Sequence, residues 1–179
     1  MSKSTLTLTD LWRKTATDVM TALQVSLSKP SLPPSEWEEP FWANNRVTIP
    51  IGGEGSGKSW MAGLFGTVHS VYDQVWAAQG FKYDGLYWVV GYDFEDARKD
   101  LSYVVEFQRK LDNVDEASSS FPTPREKQWV LRLKTKQRFE TVSSYDYDKL
   151  GREEPDGVIG AEIGRWYPEI GRASCRERV

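Results

Sequence analysis

Two segments of the chain repeat their hydrophobic residues at helical spacing. In the segment from Asp10 to Leu27, the residues on one helix face are Trp12, Ala16, Val19, Leu23 and Leu27. In the segment from Asp93 to Leu111, they are Ala97, Leu101, Val104, Val105, Gln108 and Leu111. This spacing predicts two amphipathic helices that each bury one side.

Short apolar runs predict strands. These runs are RVTIPI (Arg46 to Ile51), LYWVVG (Leu86 to Gly91) and GVIGAE (Gly157 to Glu162). LYWVVG does not alternate, which favours a strand covered on both faces in a parallel sheet. The segment from Trp129 to Ser144 alternates in two halves around a basic middle, which predicts a hairpin with one wet face. A helix from Lys58 to about Gln79, weakened by two glycines, completes the pattern, so we predict a three-layer α/β fold with a mostly parallel sheet.

Composition limits the function classes only broadly. The chain is 39% hydrophobic and 27% charged, which is typical of a globular protein rather than a disordered one. Its net charge of -3 gives no general attraction to nucleic acid, although a local basic groove is compatible with that value. No apolar run reaches the roughly 20 residues of a membrane span. The one cysteine, Cys175, cannot form an internal disulfide, which agrees with an intracellular protein that is not secreted.

The stretch GGEGSGKS matches the phosphate-binding pattern G-x-x-x-x-G-K-[ST] and lies between a predicted strand and a predicted helix. Its glycines allow backbone N–H groups to converge on a phosphate, and the helix presents its positive end to the same anion. We expect Lys58 to bind the β- and γ-phosphates of ATP and the Ser59 hydroxyl to bind Mg²⁺. The candidate nucleotide-binding residues are Gly52, Gly53, Glu54, Gly55, Ser56, Gly57, Lys58 and Ser59. The alternative is an ordinary glycine-rich turn, which does not require Lys-Ser at this spacing.

A hydrolytic site also needs a carboxylate at the end of a neighbouring strand. Glu162 follows an apolar run and is the candidate catalytic residue that orients or deprotonates the attacking water. The position before it, where an aspartate commonly holds Mg²⁺ through water, is Ala161. Asp156 lies at the opposite end of the strand, too far away to replace it at roughly 3.3 Å per residue. The alternative for Glu162 is a surface carboxylate without a catalytic role.

These segments together resemble the ATPase domain of phage terminase large subunits, the motors that pump DNA into procapsids. The resemblance covers Trp37 to Pro168 and rests on GGEGSGKS after an aromatic-rich connector, on YWVVGYDFEDARKDLSYV, and on ETVSSYDYDKLGREEPDGVIGAE. It implies a RecA-like (ASCE) P-loop NTPase fold that uses ATP and Mg²⁺. The Walker A residues implied are Gly52, Gly57, Lys58 and Ser59, with Lys58 and Glu162 as catalytic residues.

The resemblance also implies the biological setting. The partners would be double-stranded DNA, the portal and the small terminase subunit. The full-length protein would be a homo-oligomer in the cytoplasm of an infected bacterial host, with no membrane association.

Two residues depart from the family pattern. Family P-loops often have arginine where Glu54 stands, and Glu54 would repel phosphate, so we expect it to point outward. Because Ala161 has no carboxylate, Mg²⁺ would be bound only by Ser59 and water. These departures leave two other functions open, a P-loop kinase or other phosphotransferase and a non-catalytic nucleotide-binding module. The kinase would need an arginine-bearing lid, whereas the basic pairs of this chain fall on the predicted hairpin.

The resemblance divides the chain into a leading helix with a proline-rich connector (residues 1–40), a partial ATPase domain (41–168) and a tail (169–179). The tail, EIGRASCRERV, resembles the translation of a common sequencing adapter and is interpreted as non-native. A basic helical end is the alternative. Terminases of this kind continue past the catalytic glutamate with a coupling strand, which inserts into the sheet, and a nuclease domain. We therefore expect this chain to be a fragment that is poorly soluble or partly folded and lacks ATPase activity.

Three further features have simpler alternatives. Trp37, Phe41 and Trp42 either stack on adenine or belong to the core, which is the commoner role of such aromatics. His69 has no acid-base or ligand partner visible in the sequence and is expected to be structural. The basic segment KTKQR, from Lys134 to Arg138, either contacts DNA phosphates or is simply solvated.

Overall fold

The computed structural model describes residues 8–25, 57–78, 80, 84–123, 127–150 and 153–160. Within them the helices and strands are, in chain order, α1 (Leu8–Leu23), α2 (Lys58–Ala77), β1 (Leu86–Gly91), α3 (Phe94–Lys110), β2 (Val130–Arg132), β3 (Arg138–Ser143), α4 (Tyr147–Leu150) and β4 (Gly157–Gly160). The predicted strand RVTIPI lies outside the described residues. The other predicted helices and strands are present.

The four strands form one mixed sheet in the order β2-β3-β1-β4. β1 pairs in parallel with β3, where Tyr87 is opposite Phe139, and with β4, where Tyr87 is opposite Gly157. β2 and β3 form the predicted antiparallel hairpin, with Leu131 opposite Phe139. The predicted wet face is wrong for β3, because its residues from Phe139 to Ser143 are buried on both faces. Residues of β1 on both faces of the sheet are buried, which explains its unbroken apolar sequence. The α/β class and the partly parallel sheet are therefore confirmed.

Helices α2 and α3 cover one face of the sheet. On this face Tyr87, Val89 and Phe139 share an apolar cluster with Ala97 and Leu101 of α3. The rings of Tyr87 and Phe139 stack with their centroids 4.5 Å apart. All five side chains are buried. Burying a valine, leucine or phenylalanine side chain stabilises a fold by roughly 1.5–3 kcal/mol, so Val89, Leu101 and Phe139 contribute strongly to folding.

The opposite face of the sheet presents the side chains that alternate with these. Trp88 and Val90 of β1 and Val142 of β3 form a second buried cluster there. Leu150 of the short helix α4 packs against this cluster. The strand prediction from LYWVVG is thus correct for both faces, since consecutive residues of β1 enter different clusters.

A buried ion cluster fixes α4 to β3 on this second face. Glu140 is buried, and its carboxylate lies 2.5 Å from Lys149 Nζ and 3.1 Å from Arg138 Nε. Gln128 Nε2 donates a further hydrogen bond of 3.1 Å to the same carboxylate. Three donors around one buried carboxylate compensate for its loss of hydration.

Helix α1 packs on α2. Its residues Trp12, Ala16, Val19 and Leu23 are buried, as predicted from their spacing. They share an apolar cluster with Met61, Leu64 and Val68 of α2. The helix begins at Leu8, two residues before the predicted start, and Leu27 lies outside the described residues.

Two glycines allow α2 to lie close to its neighbours. A Cβ atom at Gly63 would lie 2.5 Å from Tyr103 Cβ of α3, and one at Gly66 would lie 2.8 Å from Ile159 Cδ1 of β4. Both distances are shorter than a carbon–carbon contact. At Gly63 a larger residue would push the two helices apart, because the atoms it meets are a Cβ and the backbone of α3, whereas at Gly66 the end of the Ile159 side chain can shift. From the sequence, these glycines were expected only to weaken the helix.

A chain of polar side chains joins α2 and α3 to the turn between β2 and β3. Gln108 Nε2 donates to Ser70 Oγ at 2.7 Å, and Gln137 Nε2 donates to the Ser70 carbonyl at 3.0 Å. Gln74 Nε2 donates to Thr135 Oγ1 at 3.0 Å. Gln108 and Gln137 are buried, so these bonds fix the turn against α2, because a buried amide without a partner is costly.

Candidate functional site

The start of α2 has the features of an anion-binding helix terminus. Gly57 precedes the helix with φ 84° and ψ 13°, a left-handed conformation that favours glycine. Its carbonyl accepts the first helical hydrogen bond from Met61 N at 2.9 Å. No side chain caps this end, and no aspartate or glutamate lies in the first turn. Lys58 and Ser59 therefore begin a helix whose positive end has no negative side chain of its own turn beside it.

The start of α3 provides an internal contrast. Asp93 caps that helix and its carboxylate accepts a hydrogen bond from Asp96 N at 2.9 Å. Glu95 and Asp96 add negative charge in the first turn. Lys99 Nζ lies 2.9 Å from Asp96 Oδ1, and this hydrogen bond raises the pKa of Lys99 above its usual value. The N-terminus of α3 is thus already neutralised by its own carboxylates, whereas the first turn of α2 contains none.

The direction of α2 brings its start toward the edge where the parallel strands end. Gly66 lies next to Phe139 and Ile159 in the body of the sheet. Later residues of α2, Ser70 and Gln74, contact the turn that precedes β3. The helix therefore runs antiparallel to β1, β3 and β4, and its first residues point to their carboxyl ends. In α/β sheets this edge is where ligands are usually bound.

Strand β4 ends at Gly160, so the described chain stops two residues before Glu162. Because β4 is parallel to β1, its carboxyl end lies at the same edge of the sheet as the start of α2. Asp156 lies at the other end of β4, as predicted. Its carboxylate accepts a hydrogen bond from Leu86 N at 2.8 Å, and its N–H donates to the Leu86 carbonyl at 2.7 Å. Asp156 therefore anchors the start of β4 to β1.

Several predicted site residues lie outside the described residues. These are Gly52, Gly53, Glu54, Gly55 and Ser56 of the glycine-rich stretch, Ala161 and Glu162 after β4, and the aromatic residues Trp37, Phe41 and Trp42. Of the predicted nucleotide-binding residues, Gly57, Lys58 and Ser59 are described, and they are consecutive at the start of α2. Lys58 and Ser59 are both partly buried.

The carboxyl ends of β1 and β3 are held together by residues that pattern analysis did not single out. Ser143 Oγ and Ser144 Oγ each donate to the Tyr92 carbonyl at 3.2 Å. Ser144 N donates to the Gly91 carbonyl at 2.8 Å. The rings of Tyr92 and Tyr145 meet edge to face with centroids 5.0 Å apart. The pair of serines that ends the predicted hairpin is the signal that could have identified this clamp.

His69 and the basic segment KTKQR both contact neighbouring residues of the fold. His69 packs against the rings of Trp12 and Phe65, with centroids 4.5 and 4.7 Å away. Burial lowers the pKa of His69 from 6.5 to about 4. In the basic segment KTKQR, Lys134 Nζ lies 2.8 Å from Asp112, and Gln137 is buried against α2. The segment is therefore only partly solvated.

Comparisons with protein-family models, with curated proteins and with solved structures gave no match to this chain. Within the described ranges, no group of three or more histidine, cysteine, aspartate or glutamate side chains is arranged to hold a metal ion. No helix in that part of the chain is both long and apolar enough to cross a bilayer.

Proposed function

We propose that this chain is the nucleotide-binding part of an ATP-driven motor that packages DNA. The proposal rests mainly on the start of α2, where a left-handed glycine precedes Lys58 and Ser59 and the first turn has no carboxylate. The full motif GGEGSGKS adds three glycines ahead of Gly57. Together these residues offer a phosphate group backbone N–H donors, a lysine charge and a hydroxyl.

The described residues fit Mg-ATP. Lys58 supplies a cation for the β- and γ-phosphates, and the Ser59 hydroxyl is a ligand that Mg²⁺ accepts. A cap and two acidic residues, as found at α3, would oppose an anion, and α2 has neither. We assign the orientation or deprotonation of the attacking water to Glu162, which follows the end of β4. When bound, Mg²⁺ neutralises charge on the transferred phosphate.

The DNA-packaging role rests on the resemblance to terminase large subunits. The three resembling segments include both described ends of the site, the start of α2 and the strand β4. The mixed sheet, with β1 between β3 and β4, is compatible with a RecA-like P-loop fold. Double-stranded DNA, the portal and the small terminase subunit are accordingly the proposed partners of the longer protein.

Nucleotide binding by this chain tests the first part of the proposal. Lys58→Ala should weaken ATP binding by roughly 10- to 100-fold, because a hydrogen bond to a charged group contributes about 1.5–3 kcal/mol. Isothermal titration of Mg-ATP measures this effect. Lys99→Ala is the matched control, since it removes a lysine near the start of α3 that pairs with Asp96, and it should leave the affinity unchanged. Equal affinities of Lys58→Ala and the unaltered chain would refute the site.

Hydrolysis is tested in the longer protein that the resemblance predicts. Glu162→Ala should abolish DNA-stimulated hydrolysis and retain ATP binding, because the carboxylate acts on water and not on the nucleotide. Retained turnover would show that another residue acts as the base. Transfer of phosphate to an acceptor other than water would favour a kinase. The chain as given should show no turnover. Cooperative unfolding together with Mg-ATP turnover that Lys58→Ala abolishes would contradict that expectation.

A further inference from the structure

The second half of α2 is joined to two neighbouring elements through the buried residue Ser70. Its hydroxyl donates to the Thr67 carbonyl of the same helix at 2.8 Å and accepts from Gln108 Nε2 of α3 at 2.7 Å. Its carbonyl accepts from Nε2 of Gln137, directly before β3, at 3.0 Å. Ser70 and Gln108 are fully buried, and Gln137 is 1% exposed. A single residue of α2 is therefore bonded to both α3 and the β2–β3 hairpin.

Each glutamine amide is itself held by a second partner. Asn113 Nδ2 donates to Gln108 Oε1 at 2.9 Å, and the Thr135 hydroxyl donates to Gln137 Oε1. Hydrogen bonds weaken outside a range of about 2.7–3.2 Å, so amides that are bonded at both ends allow Ser70 little movement. The chain of bonds therefore defines where α2 lies relative to α3 and the hairpin.

The other contacts of α2 define its position along the helix axis less narrowly. Met61, Leu64 and Val68 pack in the apolar cluster with α1, and apolar cores repack and lose their unique arrangement before they lose stability. The Tyr87 hydroxyl donates to Asp73, but it lies at the end of a long side chain that can follow a small shift. A shift of α2 by the rise of one residue, about 1.5 Å, would break both amide bonds and displace the start of the helix equally.

We propose that Gln108 and Gln137 are positioning residues for the candidate phosphate site. Through Ser70 they set the position of α2 along its axis, and α2 carries Lys58 and Ser59 at its start. Neither glutamine would touch the nucleotide, because Ser70 lies about 17 Å along the helix from Ser59 at 1.5 Å per residue. The inference rests on the function proposed for that site.

The test replaces both glutamines by methionine, which has a similar length and no amide. Asn113 and Thr135 lose a partner in this variant, but both are only partly buried, so water can replace it. The double variant Gln108→Met with Gln137→Met should therefore stay folded, with little change in the urea concentration at half unfolding. Gln128→Met is the matched control, because it removes a glutamine whose amide bonds to Glu140 on the other face of the sheet.

Two measurements report on the start of α2. In the nucleotide-free chain, the ¹⁵N amide signals of Lys58 and Ser59 should move in the double variant and stay in place in Gln128→Met. In isothermal titration, the affinity for Mg-ATP should fall at least fivefold in the double variant and remain unchanged in the control. A loss of affinity without a matching loss of stability is the result that a purely structural role would not give.

A double-mutant cycle shows whether the glutamines act through Lys58. Added to Lys58→Ala, the two methionine substitutions should weaken binding by twofold or less, because the group that they position is already absent. The inference is overturned if the signals of Lys58 and Ser59 do not move, if the double variant binds Mg-ATP as the unaltered chain does, or if the losses multiply. If the unaltered chain binds no Mg-ATP, the proposed function fails, and the amide signals still decide whether the glutamines position α2.

Discussion

Acid should loosen the packing of α1 on α2, because His69 lies at their contact in surroundings that disfavour its charged form. Its ring lies 4.5 Å from that of Trp12 on α1 and 4.7 Å from that of Phe65 on α2. Burial there lowers the pKa of His69 from 6.5 to about 4, since an imidazolium among aromatic rings loses hydration.

The sign of the effect follows from the two pKa values. The folded-state pKa lies below the unfolded-state value, so the unfolded chain binds the proton more readily between pH 6.5 and about 4. The free energy of unfolding is therefore unaffected by His69 above pH 6.5. It falls as the pH drops from 6.5 to about 4, and His69 causes no further change below that pH. At 1.36 kcal/mol per pKa unit the total loss is at most about 3.4 kcal/mol, of which roughly 2 kcal/mol is reached at pH 5.

The measurement is direct because the chain has a single histidine. Its imidazole C2–H resonance in an NMR titration gives the folded-state pKa, and the same titration in urea gives the unfolded-state value. Urea unfolding followed by helical circular dichroism at pH 7.5 and pH 5 then gives the free energy of unfolding. His69→Phe keeps a ring of similar size and cannot titrate.

The difference between His69→Phe and the unaltered chain isolates the contribution of the imidazole. The variant should gain about 2 kcal/mol relative to the unaltered chain when the pH falls from 7.5 to 5. Glu116 does not interfere, because its hydrogen bond with Arg109 lowers its pKa and its contribution is lost only at more acidic pH. A folded-state pKa near 6.5, or the same pH dependence in both proteins, would refute the reasoning.

Two further substitutions test the packing by urea unfolding. Gly63→Ala gains up to about 1 kcal/mol of helix propensity. However, its Cβ would lie 2.5 Å from Tyr103 Cβ, so we expect a net loss of about 1–3 kcal/mol, and a gain would contradict the close helix contact. Glu140→Ala leaves Lys149 without its buried carboxylate and should cost about 3 kcal/mol. Glu106→Ala removes an exposed pair on α3 and should cost less than about 0.5 kcal/mol, and equal losses would show that the Glu140 cluster is not effectively buried.

The spacing of apolar residues correctly predicted the helices and strands that have a clear apolar pattern of their own. The limits of β1 agree with the run Leu86 to Gly91, and the spacing in α3 placed the polar Gln108 correctly on the buried side. Spacing does not identify the partner of a buried polar residue. Gln108 bonds to Ser70 of α2, a contact that depends on how two helices cross and not on either sequence alone. The ion cluster around Glu140 was missed for the same reason, since a glutamate in an alternating strand predicts a solvated face.

The candidate site was predicted from its motif, and the motif places the start of the helix correctly at Lys58. The motif does not contain the direction of that helix relative to the strands. This direction depends on contacts farther along α2, where Gly66 meets β4 and Gln74 meets the turn before β3. It also depends on the parallel pairing of β1 with β4, which joins segments about seventy residues apart.

The two glycines of α2 link packing to the proposed function. Helix propensity counts each of them as a loss of about 1 kcal/mol relative to alanine, which is why the sequence pattern treated the helix as weak. In the fold they let α2 approach α3 and β4 more closely than any side chain would allow. A larger residue at Gly63 would push the helix away from Tyr103 and the backbone of α3, and Lys58 and Ser59 would move with it because the helix is rigid. The position of the start of α2 therefore depends on a residue outside the phosphate-binding motif. Gly63→Val should weaken Mg-ATP binding measured by isothermal titration although it alters no group that would touch ATP, and an unchanged affinity would contradict this link.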